Sequence, residues 1–410
     1  MTIDTGDTSW ILVSTALVML MTPALAFFYG GMVRRKNILS TLMMSFSMLM
    51  VIGVAWAIYG YSLAFGPDVG GIIGNLSFIG LRGIGQTPSP VYANSVPQLA
   101  FMMYQAMFAI VTVALITGAV VERIRFSSML VIGIAWFTLV YAPIAHWVWG
   151  GGWLAKLGVL DFAGGSVVHL SAGVSALALV LLLGRRKGFP QNTMEPNNIP
   201  FVVLGAGILW FGWFGFNAGS ALSSGGLASL ALVNTSLAGS AAGLVWMLLA
   251  WRIHKPAVLG GVTGSIVGLA AVTPASGYIT PMAALAIGGI AACFSYWVMA
   301  LLKSRMKLDD SLDVFACHGI GGAWGMLATG IFATLSVNSL GANGLVTGSW
   351  VQVGKQLIDI VVVGGYAFIC TLVIGKVVGV VMGLRVSHVE ETVGLDIAQH
   401  GERAYGGLLR

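Results

Sequence analysis

The sequence is poor in charge. Only 8% of its 410 residues are Asp, Glu, Lys or Arg, against about a quarter in soluble domains. Hydrophobic residues make up 57%. That balance excludes a water-soluble globule and fits a chain that crosses a membrane many times. Cysteine is scarce too. Cys293, Cys317 and Cys370 all lie inside apolar runs without metal-site spacing, so neither a disulfide framework nor a zinc site is in view. There is no Gly-rich nucleotide loop and no nucleophile elbow. Gly150–Gly152 is not followed by a Lys and a Ser or Thr, so it is no phosphate cradle. No residue pair offers a nucleophile with a positioned base, so the enzyme reading has no support, and no cofactor or metal is expected.

What the chain has in excess is glycine, 57 residues of it, and small residues let membrane helices approach closely. Eleven apolar segments are long enough to cross about 30 Å of hydrocarbon. They lie near 9–33, 39–65, 98–121, 126–146, 162–184, 199–219, 226–251, 257–274, 280–302, 312–334 and 350–384. The first follows an acidic start (Asp4, Asp7) without a basic n-region, so it reads as a span rather than a cleaved signal. Loops after odd-numbered spans carry the basic residues: Arg34, Arg35, Lys36, Arg123, Arg125, Arg185, Arg186, Lys187, Arg252, Lys255, Lys303, Arg305 and Lys307. The tail adds Arg385, Arg403 and Arg410, while loops after even-numbered spans hold only Arg82 and Lys156, with Lys355 at the start of the last span. Positive charge stays inside, which puts the N-terminus outside and the C-terminus inside. The net charge of +6 therefore belongs to cytoplasmic loops and is no sign of nucleic-acid binding.

The fold expected is an all-α polytopic membrane protein, one membrane domain over residues 1–410. Five spans precede the loop at 185–198 and five follow before the last. An odd number per repeat inverts the second half. Repeat one covers about 9–184, repeat two about 199–334, helix eleven about 350–384 and the tail 385–410. The eleventh span is long enough to tilt across the bundle. Trp136, Trp147, Trp149, Trp153, Trp210, Trp213, Trp246, Trp251, Trp297 and Trp350 lie near span ends, where most read as interfacial anchors.

Two stretches stand out. Asp161–His169 (DFAGGSVVH) and Asp310–His318 (DSLDVFACH) each place an Asp eight residues before a His at the start of an apolar helix. Eight helical residues span about 12 Å, so each His sits about two turns deep while its Asp stays near the rim. A single His on an apolar helix is usually a packing residue. A matched pair, in span five and span ten, marks a pathway on a pseudo-symmetry axis.

These motifs come with others: Phe27–Gly31 (FFYGG), Glu122–Phe126 (ERIRF), Ala145–Gly152 (AHWVWGGG), Gly212–Ser220 (GWFGFNAGS), Asp313–Gly319 (DVFACHG) and the tail Gly394–Tyr405. Together they resemble the bacterial ammonium transporters of the Amt/Mep/Rh family, from the first span to the tail. The resemblance implies roles. Trp149, Phe108 and Ser220 would form an outer recruitment site, holding ammonium by cation–π attraction with a hydroxyl as acceptor. Tyr104 stands where many members have Phe, which would bring an extra hydroxyl to the vestibule. Phe108 and Phe216 would be the stacked gate and Trp213 its lower wall. Without the resemblance, each of these aromatics reads as ordinary core or belt packing.

His169 and His318 would be the twin-histidine pair of the pore. Two neutral imidazoles sharing a hydrogen bond give an apolar duct polar edges. Such a duct passes ammonia, penalises a bare cation and offers K⁺ no ring of carbonyls. Ammonium would lose its proton at the outer site, and coupled proton movement would make transport electrogenic. Asp161 reads as a cap of span five with an indirect electrostatic effect, against the alternative of a proton acceptor or direct cation ligand. Asp310 would be the same cap in the second half. Glu122, Arg123 and Arg125 would pack against the tail.

The resemblance further implies a homotrimer in the bacterial inner membrane, methylammonium as a substrate analogue, and docking of a PII-type signalling protein on the cytoplasmic face. Two other readings stay open. One is an ammonium-sensing domain of the same fold with little or no flux. The other is a neutral gas channel, against which Trp149 and Ser220 argue.

Overall fold

Backbone polar groups in hydrocarbon find no water, so apolar runs close their hydrogen bonds within themselves and wind into helices. The computed structural model describes residues 2–253 and 255–405; Arg410, counted above with the tail, lies outside the described residues. Nine helices among the described residues are long and apolar enough to cross a membrane. They are α1 (Thr5–Met32), α2 (Arg35–Phe65), α3 (Gln98–Val120), α4 (Phe126–Leu157, broken at 149–152), α5 (Gly165–Leu183), α6 (Ile199–Ala221), α7 (Gly226–Ile253), α9 (Pro281–Met306) and α11 (Val351–Met382). The expected spans eight and ten are shorter helices: α8 (Val258–Val272), and α10, built from Phe315–Gly319 and Ile320–Phe332. Two small antiparallel hairpins, Asp68–Val69 with Ile73–Gly74 and Pro88–Ser89 with Ala93–Pro97, fill the loop between α2 and α3.

Helix starts move where a cap takes over. Span five was expected from 162, but α5 begins at Gly165 because Asp161–Gly164 are spent capping it. At α10, Asp313 adopts φ +59° and delays the helix. The 32 residues of α11 would extend about 48 Å, well beyond the hydrocarbon thickness, and it lies across α5 and α10. α1 packs along α6, and α7 against α8 and α9.

The basic loops of Arg34, Arg123, Arg186 and Lys307 gather around buried ion pairs. Arg186 donates to Glu122 Oε2 at 2.6 Å and to Asp309 Oδ1 at 2.7 Å. Arg34 Nε and Asn37 Nδ2 donate to Glu122 Oε1 at 2.9 and 2.8 Å. Burial alone would raise the Glu122 carboxyl, yet the Arg186 and Arg34 guanidiniums pull it down to about 2. Of the three residues expected on the tail, Arg123 and Arg125 meet it: Val386 N donates to Arg123 O, and Arg125 Nε to Arg385 O, each at 3.0 Å. Glu122 instead ties the first basic loop to the loop of Arg186. The tail docks on the same loops, with Lys187 N on Glu391 Oε1, Leu395 N on Asn37 Oδ1 and Ser40 N on Asp396 Oδ1.

The tryptophan belt is smaller than expected. Trp251, Trp297 and Trp350 are exposed, as anchors should be. Trp136, Trp147, Trp213 and Trp246 are buried in packing. Trp136 shows why: its indole N–H donates to Ser175 Oγ at 2.8 Å and Thr371 Oγ1 at 3.0 Å, binding α4 to α5 and α11.

Candidate functional site

The site is built on the Asp161 carboxylate. Oδ1 accepts from Gly164 N (2.7 Å) and Gly165 N (2.6 Å). Oδ2 accepts from Ser166 N (2.8 Å), Ser166 Oγ (2.9 Å) and Val167 N (3.2 Å). The carboxylate thus accepts from five donors, four of them the free N–H groups at the start of α5. Gly164 permits the tight approach with φ +114°. The Asp161 backbone carbonyl accepts from Trp149 Nε1 at 2.9 Å, so the same residue anchors that indole. Asp161 does not stay at a rim as expected: it is only 6% exposed, and Asp310 only 3%.

Away from the basic end, Trp149, Phe108, Ser220 and Asp161 line a cavity of about 290 Å³. Ser220 Oγ donates to Phe216 O at 2.9 Å and lies 3.3 Å from the Tyr104 hydroxyl, so the oxygen keeps acceptor capacity. Among the described residues, no Lys or Arg lines this cavity. Tyr104 departs from its expected place. It is fully buried, and its hydroxyl bonds Gly215 O (2.8 Å) and Phe216 O (2.9 Å) behind Ser220 rather than facing the cavity. A hydroxyl at that depth would be unsatisfied without these carbonyls, whose second lone pairs remain available near the end of α6.

From the cavity a column of rings runs inward. Phe108 lies edge-on to Trp149 at 5.8 Å and over Phe216 at 4.3 Å between centroids. Phe216 is followed by His169 at 5.9 Å, and His169 by His318 at 5.2 Å, the two imidazoles 17° from parallel. Trp213 stacks on His169 at 5.4 Å. Both histidines ride on single π-turns, Gly165–Leu170 and Phe315–Gly319, a local widening common at functional sites. They come this close because α5 and α10 touch backbone to backbone: a Cβ on Gly173 would lie 2.1 Å from Gly319 N. The imidazoles stack without the shared hydrogen bond expected of them, and both ring nitrogens of His169 are buried without a partner. Below, His318 borders a second cavity of about 240 Å³ that opens toward the basic end.

Asp310 caps α10 more weakly than Asp161 caps α5. Its Oδ2 accepts from Phe315 N at 2.8 Å, while Oδ1 has no partner. Sequence reasoning missed three polar features. His146 is buried, with Nδ1 2.9 Å from Ala64 O and Nε2 2.9 Å from Asp68 Oδ1, one turn before Trp149. That imidazole, together with Lys156, holds the Asp68 carboxyl down to about 2. Asp359 on α11 is fully buried with both oxygens unpartnered. Lys303 pairs with Asp313 at the second cavity. Only Asp359 carried a sequence signal, as a lone carboxylate inside an apolar run.

Residues 9–405 match the Ammonium Transporter Family profile. An ammonium transporter of Bacillus subtilis is 48% identical over 401 residues, 98% of each chain. Ammonium transporter Amt1 of Archaeoglobus fulgidus is 49% identical over 400 residues, 98% of this chain and 99% of its own. Among solved structures, Saccharomyces cerevisiae Mep2 aligns with a TM-score of 0.89 at 37% identity, over 95% of this chain and 90% of its own. A structure described as a Sensor Amt Protein aligns with a TM-score of 0.88 at 27% identity, over 96% and 98%.

Proposed function

Since the chain belongs to the Ammonium Transporter Family and is a multi-pass helical membrane protein rather than an enzyme, we propose that it carries ammonium inward and conducts ammonia. The supporting observation is the column from Trp149 through Phe108 and Phe216 to His169 and His318, with a cavity at each end. Ammonium is held against the Trp149 and Phe108 rings with Ser220 Oγ as acceptor. Its N–H bond breaks at the foot of this site. Uncharged ammonia slips past the phenyl gate, whose 4.3 Å stack must part slightly, and meets the imidazole nitrogens as its next polar partners. A cation would find no replacement for its water there. The proton released takes a coupled path through the ring nitrogens of His169 and His318, so transport is electrogenic.

The same reading sets the frame. Eleven spans form an inverted five-plus-five repeat and a final tilted helix, with the basic end in the cytoplasm of a bacterial inner membrane. The working form is a homotrimer, and the tail and basic loops are the surface for a PII-type protein. The test is paired flux and current on proteoliposomes, beside a variant with both pore histidines replaced. Ammonium pulses that move methylammonium-competable substrate without current would refute charge coupling. Likeness to a Sensor Amt Protein favours a second reading, a sensor of the same fold. Tight ammonium binding without methylammonium import would decide for it.

A further inference from the structure

The mouth at the basic end already holds a cation. Lys303, near the end of α9, lines the cavity beneath His318 and sets its ammonium 2.6 Å from Asp313 Oδ2. Asp313 is held in a left-handed turn, φ +59°, at the start of α10, and lines the same cavity. Asp310 lies three residues away, 3% exposed, with Oδ1 unpartnered. The Asp313 carboxylate therefore holds a tethered ammonium group at the wall of this cavity. The opposite mouth is arranged the other way. Its one carboxylate, Asp161, is consumed by five donors, and among the described residues no Lys or Arg lines the cavity.

A lysine head is an alkylammonium ion, with the charge and three N–H donors of methylammonium. We propose that Lys303 is a tethered substrate mimic: it occupies a cation site formed by Asp313 and keeps cytoplasmic ammonium from binding under the pore. This rests on the transporter reading. Ammonia leaving past His318 then meets a cavity carboxylate, Asp313, that is already paired, so product does not linger at the exit as ammonium. The loading site and the exit differ in one respect that matters: one is open to a free cation, the other is filled.

The test uses full-length protein in oriented proteoliposomes. Wild type must first import labelled methylammonium from the external side; failure there sinks the transporter reading, not this one. Ammonium is then loaded inside and its inhibition of import measured. In Lys303→Met and Lys303→Gln, internal ammonium should inhibit at about fivefold lower concentration, the scale of one partly exposed ion pair, while the external KM stays unchanged. Lys303→Arg, which keeps the charge, should match wild type. The double variant Lys303→Met/Asp313→Asn should lose most of the shift. Import-competent Lys303→Met and Lys303→Gln proteins with wild-type internal inhibition would overturn the proposal, as would a shift that persists undiminished in the double variant. Should neither neutral variant fold, the Asp313→Asn single variant serves: it must show no gain in internal inhibition, and a gain would count against the site.

Discussion

Replacing Asp161 by Asn removes one acceptor oxygen and puts an NH₂ where backbone donors converge. With the amide oxygen at the Oδ2 position, the bonds from Ser166 N, Ser166 Oγ and Val167 N survive. Gly164 N and Gly165 N, 2.7 and 2.6 Å from Oδ1, then face another donor. A buried donor left unsatisfied costs about 1–3 kcal/mol, so two cost about 4 kcal/mol before relaxation. Flipping the amide only exchanges which donors are stranded. We expect a net loss of about 3 kcal/mol, read as a fall of several degrees in Tm in detergent. The same turn anchors Trp149 through the Asp161 carbonyl. Methylammonium uptake should therefore show a raised KM as well as a lowered maximum. Asp161→Ala, which loses all five bonds, should be worse in both. An Asp161→Asn protein with wild-type melting and wild-type uptake would refute the reasoning.

Tyr104→Phe removes a buried hydroxyl that serves Gly215 O and Phe216 O. It should cost about 1 kcal/mol of stability while leaving uptake affinity within about twofold, because Ser220 keeps its own bond to Phe216 O. Gly173→Ala places a methyl 2.1 Å from Gly319 N and pushes α5 off α10. Overpacking of this kind costs about 1–3 kcal/mol, and labelled methylammonium uptake should fall far more than expression, since the two imidazoles separate. The Glu122 cluster makes a pH prediction. Its folded value, about 2, lies below the ordinary 4.5. Its stabilisation is therefore fully present above pH 4.5 and is lost as pH falls from there toward 2. Tm measured across that window should drop more steeply in wild type than in Glu122→Gln.

Much of the site was legible because short-range rules built it. The Asp-to-His spacing gives a cap and a ring two turns on, and the cap of α5 is closed by donors within six residues. Helix faces were less legible. Trp136 and Trp297 both stand in all-round apolar spans, yet one binds three helices together and the other faces outward. Which side of a helix meets a neighbour depends on packing, and an all-round apolar sequence carries little periodicity to reveal it. Tyr104 was misplaced for the same reason: its hydroxyl depends on carbonyls near the end of a helix 111 residues away. The pairs His146–Asp68 and Lys303–Asp313 close across irregular turns, where no period exists to be read.

The asymmetry between the mouths limits what a tethered lysine can do. Asp161 and Asp310 stand at the same sequence distance from their histidines, yet one is saturated by its own helix while the other keeps an orphan oxygen, three residues before the Asp313 that holds Lys303. Filling the inner site changes how readily each side loads, not where the system comes to rest, because a fixed side chain supplies no free energy per cycle. Wild type and Lys303→Met, given identical ammonium, pH and voltage gradients, must therefore reach the same final distribution. They should differ only in the time taken and in how strongly internal ammonium slows the approach. A different end-point in the two proteins would mean a change in the coupled charge, and would place Lys303 on the proton's route rather than in the cation site.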